Sequence, residues 1–247
     1  MYLVDNPYGA PRAALDTIDA ARRLSPIGLR ECRAPTAHVG MPNYTGCIPV
    51  PHPHRPASAL VESLNERYQF MDLILTRAVS SFCAQPFRVC WKFAHGVRVH
   101  TPDALLFLED STQLLIDVTR SSKPEDPKAM AIFVLTAATA DLLGWDYQLR
   151  TELPTQRILN VRHLWCYRTD PEPEDLAVWR DQATALLWPM PVRQARHAFD
   201  AGSRGLAAIW HLLGRRHLFV DLDRPITPDT QLSEQPCTEE EPWVTPV

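Results

Sequence analysis

A carboxylate stands inside a strand of this sequence that is otherwise made of apolar residues. Leu114-Leu115-Ile116-Asp117-Val118 consists of residue types that belong in a core, except for Asp117. An ionised carboxylate left unpaired there costs several kcal/mol, so the fold has to supply it with a partner. A second acid, Asp103, follows Pro102 at the start of the preceding apolar run, Ala104 to Leu108. Glu109-Asp110-Ser111 lies between the two runs and reads as a tight turn. The runs then pair as a hairpin, and the two acids converge across it. Two readings fit. Either the acids share a divalent cation, or Asp103 is a turn residue and Asp117 pairs with Arg98 or Arg120.

The cation reading has a definite chemistry. Magnesium takes a few carboxylate oxygens and leaves its other octahedral positions to water and phosphate, with manganese as the usual substitute. That arrangement suits phosphodiester hydrolysis, because the metal orients and acidifies the attacking water and neutralises charge on the leaving oxygen. A third carboxylate from the preceding helix often completes such a site. Glu62 and Glu66 lie one helical turn apart, so both can face the same way.

The order of elements supports a mixed-sheet α/β fold. Residues 1–56 read as a proline-rich arm, with Pro35, Pro42, Pro49, Pro51, Pro53 and Pro56 restricting the chain and a short helix over Pro11 to Leu24. Apolar spacing predicts a helix from Ser58 to Ala78, capped by Ser58. Short β-rich runs follow at Val79 to Cys83, Phe87 to Phe93, Val97 to Thr101, Ala104 to Leu108 and Leu114 to Val118. A helix from about Pro124 to Leu143 and a strand from Trp145 to Leu149 complete a domain over 57–170. Residues 171–232 read as a helical module with helices at Asp175 to Trp188, Val192 to Asp200 and Arg204 to Leu213, then a strand at His217 to Asp223. Three helices followed by a strand and a turn is the pattern of a small winged-helix module. Residues 233–247 read as an acidic disordered tail.

Charge and cysteine usage exclude several classes. A net charge of −4 argues against coating nucleic acid by charge alone. The six cysteines show neither a CxxC pair nor a zinc spacing and read as reduced thiols of a cytoplasmic protein. No apolar run approaches the ~20 residues that span a bilayer, so no membrane partner is expected. Tryptophans such as Trp91, Trp145, Trp165 and Trp188 read as core anchors. His52, His54, His95 and His100 have no zinc spacing; His100, beside Pro102-Asp103, is either a phosphate contact or a structural strand-end residue. Basic residues thicken at Arg193, Arg196, Arg204, Arg215 and Arg216. With Arg120, the candidates for contacting DNA are Arg193, Arg196, Arg215 and Arg216, since arginine suits paired bonds to phosphate.

Several motifs together resemble the TnsA-like endonuclease subunits of heteromeric bacterial transposases, a branch of the PD-(D/E)xK restriction-endonuclease-like superfamily. They are Ser63-Leu64-Asn65-Glu66, then Gln85-Pro86, His100-Thr101-Pro102-Asp103, and Ile116-Asp117-Val118-Thr119. Gly144-Trp145, Asn160-Val161-Arg162-His163-Leu164 and Tyr167-Arg168 extend the similarity, which covers about Pro35 to Arg168. The resemblance implies a PD-(D/E)xK core with a mixed sheet flanked by helices. It makes Glu66 the helix carboxylate, with Glu62 as the alternative, Asp103 the central metal ligand and Asp117 the first residue of (D/E)xK; Gln85 would stabilise the neighbouring loop. It implies a magnesium-dependent DNA endonuclease working with a DDE-type transposase and an AAA+ ATPase regulator. One residue departs from the pattern: Thr119 stands where the motif has lysine, whose charge steadies the attacking water and the developing phosphoryl charge. The chain has three lysines, Lys92, Lys123 and Lys128, and Lys123 and Lys128 are the candidates to replace that charge from the following loop or helix. The alternatives to a transposase nuclease are a catalytically impaired scaffold or DNA-docking subunit and a stand-alone defence nuclease.

Overall fold

The computed structural model describes residues 2–4, 14–15, 24–25, 29–32, 44–54, 56–123, 126–169, 174–199 and 204–236. The chain divides into two compact units. Among the described residues, the first holds those up to Phe70 together with Arg77–Glu152, and the second holds Met71–Thr76 and those from Leu153 onward. The helix at 155–169, expected within the nuclease-like domain, therefore groups with the second unit.

The first unit begins with β1 (Tyr2–Val4), β2 (Ala14–Leu15), β3 (Gly46–Val50) and β4 (Ala57–Val61). A helix was expected to start at Ser58, but β4 pairs antiparallel with β3, with Ala59 opposite Ile48. Helix α1 (Leu64–Thr76) starts six residues later. Its N-terminus is a capping box. Ser63 Oγ accepts from the Glu66 backbone N–H at 3.1 Å, and Glu66 Oε2 accepts from the Glu62 N–H at 2.8 Å. Leu60 and Val61 fit strand alternation as well as helix spacing, and Ser63-x-x-Glu66 is the local signal that separates the two. The expected helix over Pro11 to Leu24 falls largely outside the described residues, and its residues Ala14–Leu15 are a strand.

The strands β5 (Val79–Ala84), β6 (Arg88–Phe93), β7 (Gly96–His100), β8 (Ala104–Leu108) and β9 (Gln113–Val118) follow, then α2 (Pro127–Leu143) and β10 (Asp146–Arg150). One sheet has the order β10-β9-β8-β5 and a second the order β2-β1-β6-β7. In the first, β5–β8 and β8–β9 are antiparallel and β9–β10 is parallel, so the sheet is mixed, as the element order predicts. The parallel pair requires a crossover, and α2 provides it. Asp126 caps α2 by accepting from the Lys128 N–H, and Gly144, at φ 74°, closes it. A non-glycine residue is strained in that left-handed conformation.

Alternation along the strands decides what each face of the mixed sheet covers. Phe82 lies edge-on to Phe70 of α1, with ring centroids 4.9 Å apart. The opposite face carries Leu105, Phe107 and Leu115, which pack with Val89 and Trp91 of β6 and with Ala140 and Leu143 of α2. Trp91 donates its indole N–H to Thr139 Oγ1 at 3.1 Å, so the one polar atom of that ring is satisfied in the core. The five described cysteines form no disulfide, and among the described residues no helix is long and apolar enough to cross a membrane.

The second unit holds α3 (Thr155–Thr169), α4 (Leu176–Thr184), β11 (Met190–Pro191), α5 (Val192–Phe199), α6 (Arg204–Gly214) and β12 (Gln231–Leu232). β11 and β12 pair antiparallel. The strand expected from His217 to Asp223 shrinks to a single bridge between Phe219 and Ser233. Asn160 explains the difference: its Nδ2 donates to the carbonyls of Leu222 and Arg224, both at 2.8 Å, taking acceptors that a strand would need. The α3 and α6 backbones meet at Gly214, where an added Cβ would lie 2.9 Å from the Leu164 carbonyl oxygen. Ser233–Pro236 of the expected tail is described, and the rest lies outside the described residues.

Candidate functional site

Strand register brings the two hairpin acids together. Ala104 is opposite Ile116, and one further residue of the same register sets Asp103 opposite Asp117. Directly opposed residues of an antiparallel pair share a face of the sheet. Three backbone bonds fix Asp103. Its N–H donates to the Ile116 carbonyl at 3.0 Å, and its own carbonyl accepts from the Gln85 N–H at 2.8 Å. Its Oδ2 accepts from the Val118 N–H at 2.7 Å. Gln85 itself has φ 44°, so the loop beside the site is held in an uncommon backbone conformation.

Asp117 is 1% exposed, and its two oxygens have separate partners. His100 Nε2 lies 2.8 Å from Oδ1, and the Tyr147 hydroxyl donates to Oδ2 at 2.9 Å. Neither Arg98 nor Arg120 pairs with it, so the arginine salt-bridge reading does not hold. Tyr147 reaches Asp117 because β10 runs parallel to β9 with Leu149 beside Asp117, placing Tyr147 on the same face. Burial, and then the neighbouring Asp117 carboxylate, push the Tyr147 phenol far above its ordinary range, so it acts as a donor.

The electrostatics of Asp103 are unfavourable to its charged form. Burial raises its pKa well above the ordinary carboxylate value, and Asp117, Glu66 and Glu62 raise it further; the Val118 N–H acts in the opposite direction. Three carboxylates thus act on Asp103, from the sheet and from the N-terminus of α1. Glu66 serves the capping box with both oxygens, Oε1 accepting from Ser63 Oγ at 3.1 Å. Among the described residues no three His, Cys, Asp or Glu side chains form a ready metal cage. Magnesium does not require one, because one or two carboxylates with water and phosphate satisfy it. Asp103 and Asp117 are oxygen donors of that kind, and a divalent cation would offset the burial and carboxylate crowding that oppose the charged form of Asp103. On the donor set and the charge, the residues fit the ion.

Thr119 follows Asp117 by two residues and so faces the same side of the strand. Its backbone is tied at both ends, the N–H donating to the Arg150 carbonyl at 2.8 Å and the carbonyl accepting from Asn65 Nδ2 at 3.0 Å. The Arg150 guanidinium lies on the other face and donates to Gln69 and Gln148. Lys123 and Lys128 are exposed, one in the turn after β9 and one in the first turn of α2, and neither ammonium pairs with a described acid. Arg120 is exposed two residues beyond the end of β9.

In the second unit the expected basic patch separates into two groups. Arg193 and Arg196 project from the exposed side of α5, Arg193 in an ion pair with Asp229. Arg215 is turned inward, where it donates to the Tyr167 carbonyl and lies 2.8 Å from His211 Nδ1. Arg216 stacks over the Phe219 ring at 5.6 Å. Helix packing around Gly214 accounts for this inward turn of the chain, and nothing local to Arg215-Arg216 foretells it. Tyr147 is the site residue that sequence reasoning missed, since its role depends on a parallel pairing made across α2. No family model matches the chain, and no curated protein does.

Proposed function

We propose that this protein is a magnesium-dependent DNA endonuclease subunit of the TnsA-like kind, cutting one strand at transposon ends alongside a DDE-type transposase and an AAA+ ATPase regulator. The observation that carries the reading is the pair Asp103 and Asp117, opposed across one hairpin, with Glu62 and Glu66 adding to the carboxylates around Asp103. The order α1, β5, β8, β9, α2, β10, with its parallel last pair, supports a PD-(D/E)xK core into which the β6–β7 hairpin is inserted. The succession α4, β11, α5, α6, the Phe219 bridge and β12 supports a winged-helix reading of the second unit.

In the hydrolysis, a water oxygen bonds to phosphorus, one phosphorus–oxygen bond to sugar breaks, and the departing oxygen takes up a proton. Asp103 and Asp117 would hold the magnesium, whose charge acidifies the water and stabilises the leaving oxygen. His100 and Tyr147 orient Asp117, as hydrogen-bonded partners of metal-binding carboxylates generally do. Thr119 contributes no charge. That one substitution supports a second reading, in which the protein is a DNA-docking scaffold in the same kind of complex.

Nicking of a supercoiled plasmid carrying transposon ends, with magnesium and the transposase, separates the two. Thr119→Lys restores a cation on the acidic face and is expected to raise the nicking rate at least ~10-fold, within the scale of one such electrostatic group. Lys123→Ala and Lys128→Ala are expected to behave like the parent. If Asp103→Ala nicks as fast as the parent, the scaffold reading replaces the enzymatic one.

The arginines give an independent check on DNA contact. Arg196→Ala is expected to weaken DNA binding and reduce the slope of log affinity against log salt by about one. Arg215→Ala should leave that slope unchanged and lower thermal stability instead. The reverse pattern would move the DNA surface away from α5.

A further inference from the structure

Among the described residues, strand β7 is unpaired along one edge of its sheet. In the order β2-β1-β6-β7 it is terminal, paired on one side with β6 and with no described strand on the other. Val97 is 58% exposed and Val99 is 51% exposed. Natural edge strands are commonly blunted by charge, proline or a covering element, and two outward valines do the opposite. The other side of the same strand looks onto α2. There Phe93, His95, Val97 and Arg98 line a groove of about 920 Å³ together with Met130, Val134 and Leu135 of α2. Phe93 is 48% exposed and Val134 37%, so its walls are open apolar surface. Neither Arg98 nor His95 is in an ion pair with a described residue.

We propose that β7 and this groove form a docking site for an extended segment of a partner protein, which adds to the sheet as a further strand. Backbone groups on the open edge supply the affinity of such strand addition, and alternate side chains supply the specificity. One set of the partner's side chains drops into the groove between β7 and α2, and the other covers the face that carries Val99. The partner residue opposite Arg98 is acidic, because opposite charges across a strand pair are favourable. The same rule argues against a second copy of this chain as the occupant. Antiparallel self-pairing centred on Arg98, the middle residue of β7, would set two guanidinium groups against each other. Nucleic acid is a poor match for a groove walled by Phe93, Met130, Val134 and Leu135. β7 ends at His100, the residue bonded to Asp117, so a strand added here lies beside the candidate site; the docking proposal stands without any assumption about what that site does.

A display library of random ten-residue peptides, selected on the full-length protein, tests this. Selected peptides are expected to alternate apolar residues, to carry an aspartate or glutamate at one fixed position, and to bind with micromolar dissociation constants in fluorescence anisotropy. Arg98→Glu should weaken them at least tenfold, and Val134→Arg, which fills the groove, should do the same. N-methylation of alternate backbone amides on one edge of the peptide should also abolish binding. Circular dichroism checks that both variants remain folded, as their exposed positions require. The proposal is overturned if no peptide is enriched, meaning that Arg98 guards an edge kept empty. It is equally overturned if selected peptides bind Arg98→Glu and Val134→Arg as tightly as the parent, or if sedimentation shows the protein dimerising through β7.

Discussion

Replacing Asp103 with asparagine is expected to abolish nicking and, in the same molecule, to raise the melting temperature of the metal-free protein. Asparagine keeps an oxygen for the Val118 N–H bond and removes a charge that burial and three neighbouring carboxylates oppose. The direction with pH follows from the raised pKa. A carboxyl whose folded pKa lies above its unfolded value contributes stability below the unfolded pKa and loses it as pH rises through the folded one. The metal-free parent should therefore lose stability as pH rises from the ordinary aspartate range through the raised pKa of Asp103, and the variant should be spared that loss. Each unit of raised pKa corresponds to about 1.4 kcal/mol, and a chain of this size shifts by roughly 2–4 °C per kcal/mol. Magnesium or manganese should then stabilise the parent and leave the variant unmoved. A structural carboxylate would show the opposite, a variant less stable than its parent at neutral pH.

The largest loss of stability is expected at Arg157. Asp72 is fully buried, and Arg157 Nε donates to it at 2.7 Å while the same guanidinium reaches Asp223 at 3.0 Å. Replacing Arg157 with leucine removes the cation bonded to the buried Asp72 carboxylate, and breaking a buried pair from one side costs about 3–5 kcal/mol. For a chain of this length that is a fall on the order of 10 °C. The double variant Asp72→Leu with Arg157→Leu should recover much of the loss, since it is the uncompensated buried charge that destabilises and not the missing bridge. Thermal unfolding of both variants checks this. A loss below ~1 kcal/mol for the single variant would mean that Asp72 is solvated.

The hairpin acids were legible because the strand pairing that brings them together is local. Apolar runs of matched length flank Glu109-Asp110-Ser111, and that turn sets the register in which Asp103 meets Asp117. The same locality explains Asp126 and Gly144 at the ends of α2. Tyr147 was not legible, because its contact depends on a parallel pairing made across a helix. Ser58 misled because Leu60 and Val61 satisfy two periodicities at once; the Ser63-x-x-Glu66 cap and the pairing with β3 together set the helix start at Leu64. The inward turn of Arg215 follows from the close approach of α3 and α6 at Gly214, which no arginine-rich pattern encodes. Glu66 shows a different limit. One Ser-x-x-Glu pattern serves equally as a helix cap and as the helix carboxylate of a nuclease, and in this structure the cap holds it.

The central claim is that Asp103 and Asp117 hold a divalent cation, and manganese soaked into crystals tests it most directly. Anomalous scattering at the manganese absorption edge is expected to give one peak between the two carboxylates, about 2.1–2.2 Å from an oxygen of each, as hard-cation coordination requires. The peak should be absent in Asp103→Asn crystals soaked in the same way. A parent crystal with no peak at this hairpin, and with His100 and Tyr147 still bonded to Asp117, would contradict the claim and leave the acids as structural residues.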